Sequence, residues 1–406
     1  MTETKKQAIL FTSQSGLNVK SILNDLRAGA GDVPAVVSAD SEGIGDIVMA
    51  TSLGETVLKS VEDQYHANIK SIKKSTSNAF LVHLHSCYWK TGACQTRAAL
   101  FVSELRKVAR VNCVVTFIDN FYSVYCRIRD RFEKASAEEE DIHPIDILYW
   151  RVADMMLANM LASILDVEHF VVSVNHSMET LQKLLFLPHV AVYAGHPISD
   201  IRKMPRKDAM PLINRINNEF LVPLSTCEKL VTFVPDAIDE LPFLNSTSYD
   251  NLRRKVWPNG WLANKRSIGT PLDEGAARKH MRALFPIVRR NRKIFENTIY
   301  GQISDRDYRL VRQVRNFIFT LLDRVPDSGG VEAELGEAKL YSPFPQRLRT
   351  YFFNPDNVVK RKALAMGAKR PKWATGVTGE NNDLAKLIEQ MSSQPPDPPL
   401  LPGISL

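Results

Sequence analysis

One glutamate stands where a carboxylate would be well placed to act as a nucleophile. Glu334 follows the glycine pair Gly329-Gly330, which itself follows an apolar run over residues 317–322. The run predicts a buried strand, and the glycine loop brings Glu334 to the start of a helix beside the end of that strand. A carboxylate in this position can attack an electrophilic carbon and form a covalent ester. The alternative is a solvated glutamate favoured by the dipole of the helix.

A tyrosine and a glycine end a second predicted strand. The apolar run 189–193 continues as Tyr193-Ala194-Gly195 and then turns at a proline. In a parallel sheet the carboxyl ends of the strands border the ligand crevice, and a glycine there lets a ligand approach the backbone. These residues suit contact with a sugar or a base, although an ordinary strand-to-loop turn has the same composition.

Together these two segments resemble the nucleoside 2-deoxyribosyltransferase family. The likeness rests on Tyr193-Ala194-Gly195 and on the segment 330–338 around Glu334, and it covers about residues 188–355. It implies a flavodoxin-like α/β domain that cleaves the N-glycosidic bond of nucleosides or nucleotides. It also implies that Glu334 is the nucleophile and that Tyr193, Gly195 and Gly330 lie at the substrate.

The same resemblance implies two further acids. The family holds one aspartate upstream of the nucleophile, against the sugar or base, and Asp307 takes this place, with Asp305 as the nearby substitute. Another family acid follows the last strand, where this chain offers Asp323 and Asp327. A departing base accumulates negative charge unless it is protonated, so Asp307 or Asp327 would hold a proton or orient water. His196, inserted between the glycine and the proline, departs from the family pattern and leaves the substrate open.

Basic residues near this site could hold a phosphate group of the substrate. Arg202 follows the glycine turn, where a 5′-phosphate would lie near the strand end, and arginine is well suited to binding phosphate oxygens. Further basic clusters stand at 206–207 and 289–293. A solvated basic surface is the alternative for all of them.

The first predicted strand leads into a degraded phosphate-binding loop. Residues 8–12 are followed by Gly16 and by Lys20-Ser21, in the strand–loop–helix order of a P-loop. Such a loop needs glycines so that backbone N–H groups can wrap the phosphates, but the others are missing and Val19 stands before the lysine. A later apolar run ends in Asp119, as the magnesium-positioning strand of P-loop enzymes does.

This half therefore resembles the P-loop nucleotide-kinase family. The resemblance implies that Lys20, Ser21 and Asp119 would bind ATP and magnesium. Because the loop is degraded, we predict a degenerate nucleotide-binding or purely structural domain. An active kinase and an unrelated α/β layer are the alternatives.

The elements that must position these residues form two alternating sets of strands and helices. The first set has four strand-like runs, at 8–12, 79–83, 113–118 and 170–174. It also has one buried helix, at 147–165. The second set has three strand-like runs, at 189–193, 230–235 and 317–322. It also has one helix, at 210–221. Strands separated by helix-length segments predict parallel sheets with crossover helices.

We therefore predict an α/β fold with two parallel-sheet domains. Residues 1–186 form the P-loop-kinase-like domain, and residues 187–355 form the flavodoxin-like domain, which carries a basic, irregular insertion at 251–293. The composition of residues 356–406 predicts a flexible, basic and Pro-rich tail, apart from a short helix around 384–391.

Composition restricts the class of protein. The 406 residues are 44% hydrophobic and 24% charged, which is enough apolar material for two cores. The densest apolar run, 155–165, is about half a membrane span and no secretion signal is evident, so we predict a cytoplasmic protein without membrane contact. Five cysteines without a C-x-x-C pair predict free thiols and no metal site. The net charge of +7 favours anionic partners.

The sequence thus predicts an enzyme that cleaves the N-glycosidic bond of a nucleoside, a nucleotide or NAD, by hydrolysis or base exchange, and that needs no cofactor for this step. The N-terminal half would regulate it, an arrangement that suits a toxin or an antiviral effector. The family resemblance implies a homo-oligomer. The alternatives are a nucleotide kinase and a nucleic-acid-binding or scaffold protein that grips phosphates with residues 251–293 and 360–372.

Overall fold

The structure of the protein is a computed structural model of the 406-residue chain. It describes residues 5–14, 16–28, 34–38, 55–90, 93–135, 143–255, 268, 273–320, 322, 329–341, 349–356, 378–402 and 404.

The first half of the chain forms a parallel sheet and a small hairpin. Its strands are β1 (Lys6–Ser13), β2 (Ala35–Ser38), β3 (Ala79–His83), β4 (Tyr88–Lys90), β5 (Ala93–Gln95), β6 (Ala109–Ile118) and β7 (Glu168–Ser173). The first sheet has five strands in the order β2-β3-β1-β6-β7, and each neighbouring pair is parallel. Strands β4 and β5 pair with each other in antiparallel fashion.

Helices connect these strands. They are α1 (Val19–Ala28), α2 (Glu55–Lys74), α3 (Ala98–Val108), α4 (Phe121–Ala135), α5 (Pro144–Leu165) and α6 (Met178–Phe186). Their ends follow ordinary capping chemistry. Ser177 caps α6 by accepting a hydrogen bond from Thr180 N at 3.1 Å, and α5 ends at Asp166, which takes a left-handed φ of 56°.

The second half forms another parallel sheet. Its strands are β8 (Val190–Gly195), β9 (Leu230–Phe233), β10 (Asn316–Thr320), β11 (Arg349–Phe353) and β12 (Gly379–Asn381). The second sheet has five strands in the order β12-β11-β10-β8-β9, all parallel to their neighbours. The predicted α/β class with two parallel sheets is therefore confirmed.

The helices of this half are mostly short before residue 274 and long after it. They are α7 (Ile198–Lys203), α8 (Arg206–Ile216), α9 (Val222–Thr226), α10 (Leu241–Leu244), α11 (Tyr249–Lys255), α12 (Glu274–Arg290), α13 (Arg292–Arg312), α14 (Gly329–Tyr341) and α15 (Leu384–Ser392). A π-helical turn, Asn217–Leu221, joins α8 to α9, and a 3-10 turn, Pro235–Ala237, follows β9.

The basic insertion predicted as irregular at 251–293 contains a regular helix. Residues 274–290 form α12, which Asp273 caps by accepting a hydrogen bond from Ala276 N at 2.8 Å. Its buried face presents Ala277, Met281 and Leu284 at helical spacing. The prediction was wrong here because the density of basic residues hid this apolar stripe.

The predicted flexible tail also differs from the structure in its described part. Residues 378–402 supply β12 and α15, the latter where the short helix is predicted. Met391 and Leu401 are fully buried. The backbone N–H of Leu401 donates to Leu185 O at 2.8 Å, and His189 pairs with Asp397 in an isolated antiparallel bridge. This end of the chain thus packs against both halves.

The two sheets share one apolar core. The chain passes from α6 to β8 between Phe186 and Val190, where the sequence predicts the boundary. One contiguous cluster of buried side chains nevertheless includes Phe117 from the first sheet and Phe233 and Phe319 from the second. The division into separate domains therefore stays a prediction. Within the described part of the chain, every helix is too short or too polar to span a bilayer.

Candidate functional site

A cleft of about 190 Å³ opens at the carboxyl ends of β8 and β9. Its polar lining comes from four places in the second half: the turn after β8, the turn after β9, the middle of α13 and the first turns of α14. The polar residues used below are His196, Asp236, Asp239, Arg306, Asp307 and Glu334. The cleft lies where parallel α/β sheets bind their ligands.

Glu334 reaches this cleft from α14 and lies against the end of β8. Glu334 is only 9% exposed, and within the described structure its Oε2 atom has no hydrogen-bond partner. A methyl group placed on Gly195 would lie 3.3 Å from Glu334 Oε2 and 3.3 Å from the Phe317 ring. The glycine therefore makes room for the carboxyl group.

Tyr193 stands beside this carboxyl group on β8. Its ring is fully buried and stacks on Phe317 of the neighbouring strand, with ring centroids 5.4 Å apart. Burial raises the pKa of Tyr193 well above its usual value, and the charges of Glu334 and Asp307 raise it further. The phenol lies close enough to the Glu334 carboxyl group to favour the ionised form of Glu334. Within the described structure, however, no partner of the Tyr193 Oη atom lies in hydrogen-bond geometry.

Asp307 is held in place by its neighbour in the sequence. Arg306 donates to Asp307 Oδ1 from Nε at 2.8 Å and from Nη2 at 2.6 Å. The same guanidinium donates to Ile238 O at 2.7 Å and to Pro235 O at 3.0 Å. Arg306 therefore fixes both the carboxylate of Asp307 and the turn after β9.

The surroundings of Glu334 oppose its ionisation. Burial raises the pKa of Glu334 well above its usual value, and the charge of Asp307 raises it further. Contact with Tyr193 and the charge of Arg306 act in the opposite direction but do not overcome burial. The carboxyl group therefore holds its proton at a pH where an exposed glutamate would be ionised.

Sequence reasoning missed a histidine and two aspartates in the cleft. His196 Nε2 lies 3.8 Å from Asp236 Oδ2, and both side chains are fully buried. Asp239 lines the same cleft. The signal that could have found the aspartates is their position directly after β9, since carboxyl ends of neighbouring parallel strands share one edge of the sheet. His196 was noted in the sequence only as a departure from the family pattern.

Of the remaining candidates of this half, one lines the cleft, one lies elsewhere and two fall outside the described part. Gly330 lines the cleft. Asp305 pairs with Arg309 Nε at 2.8 Å and its side chain is 43% exposed. Arg202 belongs to α7, but its side chain lies outside the described part, as does the whole of Asp327.

The N-terminal candidates have partners within the first half. Asp119 Oδ1 accepts a hydrogen bond from Asn120 N at 2.7 Å, and Asp119 Oδ2 pairs with Arg127 at 2.5 Å. Arg127 thus supplies the positive charge that a magnesium ion would bring. Lys20 is exposed in the first turn of α1, and Ser21 N donates to Asn18 Oδ1 at 3.0 Å.

The loop between β1 and α1 packs against α4. Gly16 takes a φ of +97°, which a side chain rarely adopts. A methyl group on it would lie 3.2 Å from Ile128 and 3.3 Å from Val124. The binding of ATP and magnesium by this half stays a prediction.

The turn after β9 connects the cleft to the first sheet. We call residues 235–240 the connecting segment. Its Asp239 N–H donates to Asn120 Oδ1 at 3.0 Å, beyond the end of β6. Ser173 Oγ, at the end of β7, donates to Ala237 O at 3.0 Å. The segment that supplies two cleft aspartates is therefore bonded to the carboxyl edge of the first sheet.

A buried ion pair fixes the same segment. Arg151 on α5 donates to both carboxylate oxygens of Glu240 at 2.8 Å each. Gln302 Oε1 on α13 accepts from Arg151 Nη2 at 2.6 Å, and Phe121 N donates to Glu240 Oε1 at 2.6 Å. Both charged side chains are almost fully buried, so each depends on the other for stabilisation.

Comparison with known proteins finds no protein-family model and no curated protein that matches this chain. Among the described residues, no group of three or more histidine, cysteine or acidic side chains could hold a metal ion.

Proposed function

We propose that the protein cleaves the N-glycosidic bond of a nucleoside, a nucleotide or NAD, with Glu334 as the nucleophile. The observation that carries the proposal is a buried carboxyl oxygen without a hydrogen-bond partner in the described structure, at the wall of a cleft and beside Gly195 and Tyr193. A solvated glutamate would instead point to bulk water. The step needs no cofactor.

The strand order of the second sheet supports a flavodoxin-like domain. With β8 counted as the first strand of that half, the order β9-β8-β10-β11-β12 reads 2-1-3-4-5, which is the flavodoxin-like order. Ligands of such sheets bind where strand order reverses, next to the first and third strands. Glu334 lies against Gly195 of β8, and Phe317 of β10 lies beside the same glycine, so the site stands at the two strands that flank this point.

In the proposed reaction, ionised Glu334 attacks C1′ of the sugar as the bond to the base breaks. The developing positive charge on the sugar is stabilised by the carboxylate, and a glycosyl ester forms. Water then releases the free sugar, or a second base releases a new nucleoside. Asp307, held in place by Arg306, is suited to accept a hydrogen bond from a sugar hydroxyl or from the attacking water.

We further infer that the first half regulates this site. Its support is the connecting segment, which carries Asp236 and Asp239 and is bonded to Asn120 and Ser173 at the carboxyl edge of the first sheet. A ligand that moves this edge would move two walls of the cleft. The cytoplasmic location and a role as a toxin or antiviral effector belong to the same proposal.

The test is release of free base from a panel of nucleosides, nucleotides and NAD, followed by chromatography. Wild-type protein should release base, and Glu334→Gln should lower the rate on the order of a thousandfold or more. Glu219→Gln is the matched control, because Glu219 is half exposed and pairs with Arg215 on the protein surface. Equal rates for Glu334→Gln and wild type would contradict the proposal.

A further inference from the structure

The charge of the cleft restricts what it can bind. Its described lining includes four carboxylic acids, Asp236, Asp239, Asp307 and Glu334, and a single arginine or lysine, Arg306. That arginine directs its guanidinium at Asp307 and at two backbone carbonyl groups. Even with Glu334 protonated, this described lining holds three aspartates against one arginine, so it favours a positively charged group over phosphate.

Two further observations point to a small aromatic cation. The free volume of about 190 Å³ suits one six-membered ring, since a cavity of about 150 Å³ can hold benzene. Tyr300 and Tyr308 line the cleft, and the side chain of Tyr300 is 53% exposed. Aromatic rings of this kind attract a flat cation through their faces.

The chemistry of departure favours the same class of base. A neutral purine or pyrimidine leaves with negative charge unless an acid protonates it. Asp307 is poorly placed to supply that proton, because its Oδ1 atom already accepts two hydrogen bonds from Arg306. A pyridinium base needs no proton, because the electron pair of the broken C1′–N bond neutralises its own positive charge.

We propose that the cleft is selective for N-glycosides of a pyridinium base, such as the nicotinamide end of a nicotinamide nucleoside or dinucleotide. This inference rests on the proposed function and names its substrate class. A Glu334 oxygen bonds to C1′ while the C1′–N bond breaks. The electron pair of the C1′–N bond goes to the ring nitrogen, so that nicotinamide leaves as a neutral molecule. Water then attacks C1′, giving its hydroxyl to the sugar and its proton back to the carboxylate. Any phosphates of the substrate lie outside the acidic cleft.

A cationic base would also prepare the nucleophile. Burial and the charge of Asp307 raise the pKa of Glu334 and so favour its protonated form. A positive ring beside the carboxyl group favours its ionised form, so Glu334 becomes reactive when this substrate is bound. A neutral base would give no such help.

The first experiment compares two uncleavable ligands that differ by one charge. Nicotinamide and its N-methylpyridinium form are titrated into the full chain by calorimetry at low salt. The cation should bind about tenfold more tightly, and added salt should reduce the difference. Equal binding, or tighter binding of the neutral ring, would overturn the inference.

A pair of variants locates this preference. Asp239→Asn removes one cleft charge and should reduce the preference several-fold, whereas Asp250→Asn, at an exposed residue paired with Arg278, should preserve it. Circular dichroism checks that both variants fold. If Asp239→Asn does not fold, the ligand pair with wild-type protein still decides the question.

The second experiment separates this inference from the proposed function. Base release is followed from nicotinamide riboside and from uridine, each relative to the same glycoside without protein. Acceleration should be at least about tenfold larger for nicotinamide riboside and should disappear in Glu334→Gln. Cleavage of uridine through Glu334 without release of nicotinamide overturns the inference and leaves the proposed function standing. Release of no base from either glycoside or from the wider panel overturns the proposed function, while the ligand comparison still decides the charge preference.

Discussion

At the scale of single residues, the proposed reaction places two opposing demands on Glu334, because its carboxyl group is buried and a nucleophilic carboxylate must be ionised. Sequence reasoning could find Glu334, Tyr193, Gly195 and Asp307, since each stands at a strand end or at a recognisable spacing. It could not decide between Asp307 and Asp305. Residues two apart on a helix point about 200° apart, so only one of them faces the cleft, and side-chain packing selects Asp307.

The buried carboxyl group of Glu334 should make stability depend on pH. Its pKa is raised in the folded protein, so the folded state binds its proton more tightly than the unfolded state. The associated stability is fully present below the ordinary glutamate pKa of about 4.3 and is lost as pH rises toward the folded value. Urea unfolding from about pH 5 to about pH 8 should show wild type losing stability relative to Glu334→Gln. A constant difference would contradict this.

Gly195 should not tolerate even a methyl group. In Gly195→Ala the new carbon lies 3.3 Å from both Glu334 Oε2 and Phe317, which is tighter than ordinary contact. We expect a loss of about 1–3 kcal/mol in the free energy of unfolding and a large loss of base release. Gly301→Ala is the control, since a methyl group there meets nothing within 4 Å on α13. Equal stability of the two variants would show that the cleft wall adapts freely.

At the scale of secondary structure, apolar pattern predicted most strands that are buried on both faces, although it missed β11, whose last four residues are buried. β3 and β10 stand close to their predicted positions because their residues are mostly buried and apolar. β2 and β12 escaped prediction because they have only four and three residues, and β12 has the sequence Gly-Glu-Asn. Pairing with β11, not intrinsic preference, makes β12 a strand.

The ion pair between α5 and the connecting segment should be costly to break from one side. Arg151→Met leaves Glu240 buried without its guanidinium, and we expect a loss of about 3–5 kcal/mol in the free energy of unfolding. Combining Arg151→Met with Glu240→Leu should restore much of this stability. Denaturant unfolding of the single and double variants measures both effects. A double variant that is less stable than either single one would show that the charges are needed together.

At the scale of the whole molecule, one exposed surface supports the predicted homo-oligomer. From Tyr149 to Ile164 on α5, the exposed residues include Met156 and Met160, and none of the exposed residues in this stretch is charged. A second copy could pack the same face against it without bringing like charges together. Sequence periodicity assigned this helix to the core, because it is apolar all round and the pattern does not reveal which side stays uncovered.

Lysines on this face should therefore separate the copies. We expect Met156→Lys combined with Met160→Lys to shift the protein to the mass of one chain in size-exclusion chromatography with light scattering, because a buried unpaired charge is costly. Ile294→Lys is the control, since Ile294 on α13 is exposed to the same 55% as Met160. A wild-type protein that is already one chain would exclude a stable assembly through this face.

The position of Leu401 has a consequence for how the chain matures. This side chain fills a place in the shared core, its backbone is bonded to Leu185, and Leu400 O accepts from Asn112 of β6 at 2.9 Å. During translation, this part of the shared core can be completed only after residues 400–401 have left the ribosome. An affinity tag fused directly after residue 401 would test how much space is available around the buried Leu401 side chain. A tag at the amino end is the safer choice for purification.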